Sequence, residues 1–356
     1  MQERTNTAKW SEKEQRWRIS IQRDGKRKVF TSSIPGRAGQ RDANRKADEW
    51  ANSGVDYNAT VESLYEKWIL KAKELSSYGY YCELESKGRI WILPHIGHKK
   101  IQKVTEQDLQ DILDDAYKKG KADKTIKNLK STMLAFFKYC RKSNATTLLP
   151  ENLTIGKNAP KSQKKILVLD DIKKLFSEPL EDYWYLNAYR FIFLTGIREG
   201  ELKGIKKTDI KNGLCVIDRS INKFGEITNG KTENAKRTFV ITEPLQKIIT
   251  AQLNQIMLMD SEYLFPSCHG QPSSHSTIYN QWKRFQKNED MKSNISIHEL
   301  RHTFISYCKG IPLEYLKMQV GHSASMDTFG QYGHQTENDL QIVSQLISEK
   351  IHPLIQ

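Results

Sequence analysis

The sequence predicts a multidomain α+β protein with a small N-terminal three-stranded sheet plus one helix, an all-α middle domain and a mixed α/β domain at the C-terminal end. Three observations carry that prediction. Apolar and polar residues alternate around an Asp-Gly turn near the N terminus, and from about Asp56 to Asn144 the apolar residues recur at helical spacing instead. Beyond the polar stretch P-E-N-L-T-I-G-K-N-A-P-K-S-Q-K-K, β-type and helical runs interleave. The implied parts are 1–54, 57–149, a linker at 150–165, and 166–356. A length of 356 residues suits two or three domains, each with its own core.

In the first part Trp17, Ile19 and Ile21 alternate with polar residues, and Asp24-Gly25 signals a two-residue hairpin before Lys28-Val29-Phe30. Ala43, Ala47 and Trp50, at i, i+4 and i+7, mark the helix that follows. Arg16, Arg18, Arg23, Lys26, Arg27 and Lys28 crowd the ribbon. Cations this dense repel one another unless an anion lies nearby, so the ribbon is a candidate DNA contact; a merely solvated basic hairpin is the alternative.

The middle part places Leu64, Trp68 and Leu70 in one amphipathic stretch. Thr105-Glu106-Gln107-Asp108 resembles a capping box before Leu109, Ile112 and Leu113, and Gly120 closes that helix. Asp123 opens the next, whose buried face is Ile126, Leu129, Met133, Phe136 and Phe137. Lys124, Lys127, Lys130, Lys138, Arg141 and Lys142 share it with few acids, which makes a second candidate DNA surface or a solvated face. The linker is polar and basic, with two prolines. Past it, helices are expected at 170–177, 182–194 and 199–205, strands at 214–217 and 238–241, and a last helix at 337–350 with Leu340, Val343, Leu346 and Ile347 on one stripe. No internal repeat is visible.

A net charge of +14, from 56 Lys plus Arg against 42 Asp plus Glu, is unusual for an enzyme of small molecules and suits a polyanion such as nucleic acid. A basic but otherwise ordinary soluble protein is the bland alternative. The five cysteines, Cys82, Cys140, Cys215, Cys268 and Cys308, are odd in number, scattered and never spaced C-x-x-C. Neither a disulfide framework nor a zinc knuckle is indicated, and a reducing cytoplasm fits. With no apolar leader region and no run of about eighteen apolar residues, the chain is expected to be neither secreted nor membrane-spanning.

The chemistry gathers late in the chain. S-I-H-E-L-R-H-T-F, residues 296–304, contains the H-E-x-x-H of zinc proteases. Zinc would need His298 and His302 neutral with a carboxylate ligand nearby, whereas Arg301 sets a permanent positive charge at the same place. Ser296 and Glu299 stand in S-x-x-E spacing, so Ser296 is a candidate N-cap and His298 and Arg301 share one face of the first turns. Helix N terminus, imidazole and guanidinium all favour an anion. More cations follow that pattern. In L-T-G-I-R-E-G-E-L, residues 194–202, Gly196 ends one helix and Arg198 begins the next, with Glu201 three residues on. In G-K-T-E-N-A-K-R, residues 230–237, Lys231 lies in a turn between two strands, and G-H-S-A-S-M-D-T-F-G-Q-Y-G-H, residues 321–334, brings His322 and Tyr332.

Each block alone is commonplace: R-x-x-E is usually a surface pair, K-T a solvated turn, G-H a helix cap. All five together, in this order, resemble the tyrosine recombinase family, the phage and conjugative-transposon integrases, with their T-G-x-R-x-x-E-L, K-T-x-x-x-x-R, H-x-L-R-H, G-H and Tyr-x-His. The resemblance implies an arm-type DNA-binding domain, a helical core-binding domain and a tyrosine-recombinase catalytic domain. It implies a site-specific recombinase that integrates or excises a mobile element in the cytoplasm of a bacterial host. Tyr332 would attack the scissile phosphodiester to give a 3′-phosphotyrosine and a free 5′-hydroxyl, and a second strand's 5′-hydroxyl would reverse the step. The bond energy stays in the phosphotyrosine, so neither cofactor nor metal is implied. Arg198 and Arg301 would clamp the non-bridging oxygens, Lys231 would protonate the leaving 5′-oxygen, His298 would accept or relay the tyrosine proton, and His322 would donate to a non-bridging oxygen. Glu201 would orient Arg198, with His302 and Arg237 in support; His334 is either structural or a phosphate contact. Lys231 is preferred over Lys223 and Lys236 on the K-T-x-x-x-x-R spacing alone.

The implied partners are double-stranded DNA at core-type and arm-type sites and a homotetramer formed on DNA through the C-terminal helix, with room for a DNA-bending host protein and an excisionase. Arg16, Arg18, Lys26, Arg27, Lys28, Lys124, Lys127 and Lys130 are the candidate DNA contacts. Two other readings share the fold. A type IB topoisomerase uses a similar set of residues, but the two-part N terminus and the apolar C-terminal helix, which in integrases docks on the neighbouring protomer, argue against it. A non-catalytic DNA-binding regulator would not need the intact set.

Overall fold

The alternation of Trp17, Ile19 and Ile21 becomes the inner face of an antiparallel meander in the computed structural model, which describes residues 6–23, 26–52, 59–161, 163–228, 236–321 and 337–356. Strands β1 (Lys9–Ser11), β2 (Arg16–Arg23) and β3 (Lys26–Ser32) lie in that order, with Ile19 opposite Phe30 and Arg23 opposite Lys26. Helix α1 (Gly36–Asn52) packs on β2 and β3. Ala43 and Ala47 meet Ala8 and Ile19 in a small core, flanked by Trp17, Ile21 and Phe30.

The chain divides into two packed units, Met1–Ser162 and Gln163–Gln356. Within the first, a separate apolar core forms from α2 (Val61–Leu75), α3 (Tyr78–Lys87), a π turn at Gly88–Ile92, α4 (Leu93–Ile96), α5 (Glu106–Lys118) and α6 (Asp123–Lys142). Leu64 and Trp68, four residues apart, both enter it. Leu70 does not: at 57 % exposure it faces solvent, because two residues turn a helix by about 200° and carry the side chain to the far side. The expected capping box at α5 forms, with Thr105 Oγ1 accepting from Asp108 N at 3.3 Å and Asp108 Oδ2 accepting from Thr105 N at 3.0 Å.

The segment read as a linker is less free than its composition suggests. Leu153 and Ala159 are buried in the helical core. Gln110 brackets Thr154 through both backbone polar groups, and Lys130 Nζ donates to the Leu153 carbonyl at 2.5 Å. Two apolar residues and a few backbone hydrogen bonds outweigh the polar majority, so this stretch is held on the first unit as far as Pro160, whose carbonyl accepts from Asp123 N.

The second unit is mixed α/β. Its antiparallel sheet runs β4 (Ile210–Lys211), β5 (Leu214–Ile217), β8 (Arg237–Val240), and β6 (Ser220–Ile221) pairs separately with β7 (Ile227–Thr228). Around it stand α7 (Leu169–Ser177), α8 (Leu186–Thr195), α9 (Glu199–Gly204), α10 (Glu243–Gln255), α11 (His275–Asn288), α12 (Ile297–Tyr307), α13 (Leu313–Val320) and α14 (Glu337–Ile355). Every residue of α8 is buried, so this helix is the spine on which α10 and α12 pack. Val343 and Ile347 of the α14 stripe, with Ile351, are buried in their own unit, where α14 packs on α7, α12, α13 and β8. Cys140, Cys215 and Cys308 are buried thiols pushed up to about 12 by burial. No helix among the described residues is long and apolar enough to cross a membrane.

Candidate active site

The turn between α8 and α9 places the first arginine. Gly196 closes α8 with φ +67°, and a Cβ there would lie 2.3 Å from the Phe304 ring, so both backbone sign and space demand glycine. Arg198 then stands at the start of α9. Its backbone N and its Nη1 donate to the two oxygens of Glu201 at 2.9 and 2.8 Å. Glu201 is 4 % exposed and also accepts from Arg237 Nη2 at 2.7 Å. Burial opposes its charge, yet the Arg237 and Arg198 guanidiniums hold the carboxyl below the usual glutamate range.

Helix α12 supplies the second group. Glu299 Oε2 accepts from Ser296 N and Oγ at 2.8 and 3.0 Å, and Glu299 Oε1 accepts from Lys165 N at 3.0 Å. Leu167 N donates to Thr303 Oγ1 at 3.1 Å, so the chain entering this unit is pinned along the helix that carries His298 and Arg301. Arg301 is 3 % exposed, and its Nη1 donates to the carbonyls of Gly196 and Val320 at 2.7 and 2.8 Å. Its Nη2 is buried with no hydrogen-bond partner among the described residues. Burial, with repulsion from Arg198 and Arg237, pulls this guanidinium down to about 10.

His298 lies near the start of α12 and is exposed to solvent. Partial desolvation first, then His302, Arg301, Lys164 and Arg198, lowers its pKa to about 4. The imidazole is therefore neutral at physiological pH and able to accept a proton. A group whose folded pKa is depressed from 6.5 binds its proton later than the unfolded chain does, so its effect is a loss of stability as pH falls from about 6.5 to 4 and nothing above that window. In the DNA-free protein, proton NMR of the His298 ring is expected to titrate near pH 4; a midpoint near 6.5 would remove the neutral base.

His298 and His302 stand edge to face with ring centroids 4.8 Å apart, and Glu299 is committed to Ser296 and Lys165. Among the described residues no group of three or more His, Cys, Asp or Glu side chains could hold a metal ion. The cluster is instead cationic. Among the described residues Arg198, Arg237 and Arg301 gather around one carboxylate, Glu201, which is three positive charges against one negative, net +2.

Of the remaining sequence-derived residues, Lys231, His322 and Tyr332, with His334, lie outside the described residues. The candidate DNA contacts scatter. Arg16 and Arg18 alternate with the inward Trp17 and Ile19, and both approach Glu14, Arg18 at 2.8 Å; Arg27 Nε donates to Ser20 Oγ at 2.6 Å on that same outward face. Lys28 lies on the other face, its Nζ 5.4 Å from the Phe30 ring centroid, so the strand period splits what read as one basic patch. The Lys26 side chain is outside the described set. Lys124 is exposed and Lys127 pairs with Asp123 at 2.7 Å, whereas Lys130 is used to hold Leu153. Two features had no sequence signal: the His275 Nδ1 contact with both oxygens of Glu199 at 2.8 and 2.9 Å, and Lys164 beside the two histidines.

Comparison with known proteins finds a family for both parts of the chain. Residues 165–339 match the phage integrase family, and residues 60–116 match the phage integrase N-terminal SAM-like domain. The chain is 25 % identical to a tyrosine recombinase XerC-like protein of Caldanaerobacter subterraneus subsp. tengcongensis, over 94 % of this chain and 95 % of that one. Its fold is similar to that of the Tn1549 transposon integrase in complex with a circular intermediate DNA, with TM-score 0.66, 19 % identity, and 80 % and 99 % of the two chains covered. It is also similar to a lambda integrase dimer bound to a COC′ core site, with TM-score 0.62, 16 % identity, and 95 % and 99 % covered.

Proposed function

Because the chain belongs to the phage integrase family and is a tyrosine-type site-specific recombinase that binds DNA, we propose that its +2 arginine cluster is the seat of the scissile phosphate. One observation carries this: Arg301 holds a buried N–H edge with no hydrogen-bond partner among the described residues, an arrangement that costs about 1–3 kcal/mol unless an acceptor arrives. A phosphate oxygen is such an acceptor. The phosphodiester carries one negative charge and its pentacoordinate transition state two, so a cluster of net +2 favours the transition state over the ground state.

Tyr332 attacks phosphorus, forming the 3′-phosphotyrosine as the bond to the 5′-oxygen breaks. His298, neutral at working pH, accepts or relays the phenolic proton, and Lys231 supplies a proton to the departing 5′-oxygen. Arg198 and Arg301 hold the non-bridging oxygens, Glu201 orients Arg198, and His322 donates to the same phosphate. Residues 1–54 hold arm-type sites, while 57–149 and 166–356 close on the core site. Four copies assemble on DNA through α14, whose stripe then exchanges its own unit for a neighbour's; a bending protein and an excisionase join for direction.

The test is a nicked core-site suicide substrate, run in excess chelator with the full chain and with a chain lacking residues 1–54. A 3′-linked covalent adduct is expected from both, with arm-site binding lost in the shorter chain. An adduct that disappears with chelator and returns with zinc would restore the metal reading. Equal arm-site binding by both chains would remove the arm-reading role of the ribbon.

A further inference from the structure

Helix α13 ends among three arginines. The last carbonyls of a helix have no partner inside it and carry the negative end of its dipole. Here three consecutive ones each accept from a different guanidinium: Gln319 O from Arg237 Nε at 2.8 Å, Val320 O from Arg301 Nη1 at 2.8 Å, and Gly321 O from Arg198 Nη2 at 3.0 Å. Two of these arginines are the proposed phosphate clamp. The third has a side chain only 2 % exposed, and from the start of β8 it also donates through Nη2 to Glu201, the carboxylate that holds Arg198.

We infer that Arg237 is a positioning residue for the phosphate clamp, fixing Glu201 and the end of α13 together so that Arg198 and Arg301 present their N–H groups at a set spacing. A planar fork can meet acceptors on two different elements at once, here α9 and α13; a lysine ammonium on a flexible stem meets them far less rigidly. The close packing around it fits that role. Gly321 has φ +66°, and a Cβ there would lie 2.7 Å from Arg237 Nη1, so glycine leaves room for the guanidinium while its carbonyl serves Arg198. Gln319 Nε2 donates to Thr195 O at 3.1 Å, tying the same carbonyl row to the end of α8, one residue before the Gly196 carbonyl that Arg301 uses. Every link from Arg237 to the two clamp arginines is thus one hydrogen bond or one residue long.

This inference rests on Arg198 and Arg301 acting on phosphate charge, and the test separates the two claims. Full-length R237K and R237M are compared with wild type in single-turnover cleavage of a core site carrying either an ordinary scissile phosphodiester or a methylphosphonate. The methyl group replaces one non-bridging oxygen and removes the charge the clamp must meet, while the same P–O bonds form and break. R237K keeps the buried charge opposite Glu201 and guards against simple unfolding, which core-site binding also monitors. Cleavage of the diester is expected to fall at least about tenfold in R237K and further in R237M, with the neutral substrate slowed less than about threefold. Equal slowing on both substrates, or no slowing on either, overturns the positioning role. Arg198→Ala is the reference. If it is diester-selective and the Arg237 variants are not, Arg237 alone is misassigned; if Arg198→Ala slows both substrates alike, the clamp reading falls and takes this inference with it.

Discussion

Tyr332→Phe is expected to bind core-site DNA like the wild type and to form no covalent adduct with a nicked suicide substrate. The substitution removes one hydroxyl and keeps the ring, so what it takes away is the nucleophile. Loss of a covalent nucleophile costs on the order of 10⁶ in turnover where the rest of a site is intact, which puts the adduct below detection. The surroundings make an oxygen nucleophile workable here. A free phenol has a pKa of about 10; a neutral His298 has a lone pair with which to accept or relay its proton, and the +2 cluster favours the charge that develops at phosphorus. An adduct that survives in Tyr332→Phe would move the nucleophile elsewhere. Tyr315 is the next candidate, yet it is half-buried on α13 and packed against the core, so its ring would first have to leave that packing.

What the sequence made legible follows the range over which each signal acts. Gly196, Arg198 and Glu201 sit within six residues and obey local rules of helix termination and capping, so their arrangement was readable, as was the Ser296 and Glu299 pair. The strands at 214–217 and 237–240 were found to within one residue because alternation is local too. Leu70 shares an amphipathic stretch with Leu64 and Trp68 but not their face, a distinction that the i, i+4 spacing of the other two carries and the apolar run by itself does not. Counting cations along the ribbon leaves open how the period of two divides them, and in the fold it sets Lys28 on the face opposite to Arg27. The row of carbonyls on α13 had no signal at all. Backbone oxygens are the same at every residue, so a site in which Arg198, Arg237 and Arg301 each find a main-chain acceptor more than 15 residues away is visible only once the chain is folded. Lys130 shows the same limit, since its partner is the Leu153 carbonyl.

The cluster's charge balance predicts that Glu201→Gln loses stability, whereas Arg301→Met keeps stability and loses catalysis. Among the described residues Glu201 is the only carboxylate paired with these guanidiniums, and Arg237 beside it is almost fully buried. Glu201→Gln leaves that buried charge without a counter-ion, a change that costs about 3–5 kcal/mol in comparable sites. Arg301→Met acts differently. It forfeits two hydrogen bonds to Gly196 O and Val320 O, yet it also removes a desolvated charge, its unpartnered Nη2 and its repulsion with Arg198 and Arg237. These effects oppose one another, and exchange of buried charges for apolar side chains of similar volume is often neutral or stabilising. Arg301→Met is therefore expected to melt close to wild type and Glu201→Gln well below it. In cleavage, Arg301→Met loses a preorganised donor aimed at developing charge, which is worth about 10²–10³ in rate. Melting curves of both DNA-free variants, with single-turnover cleavage of the same core site by Arg301→Met, decide the matter. If Arg301→Met melts as low as Glu201→Gln, or cleaves within about tenfold of wild type, Arg301 is a structural arginine and the phosphate must be held elsewhere.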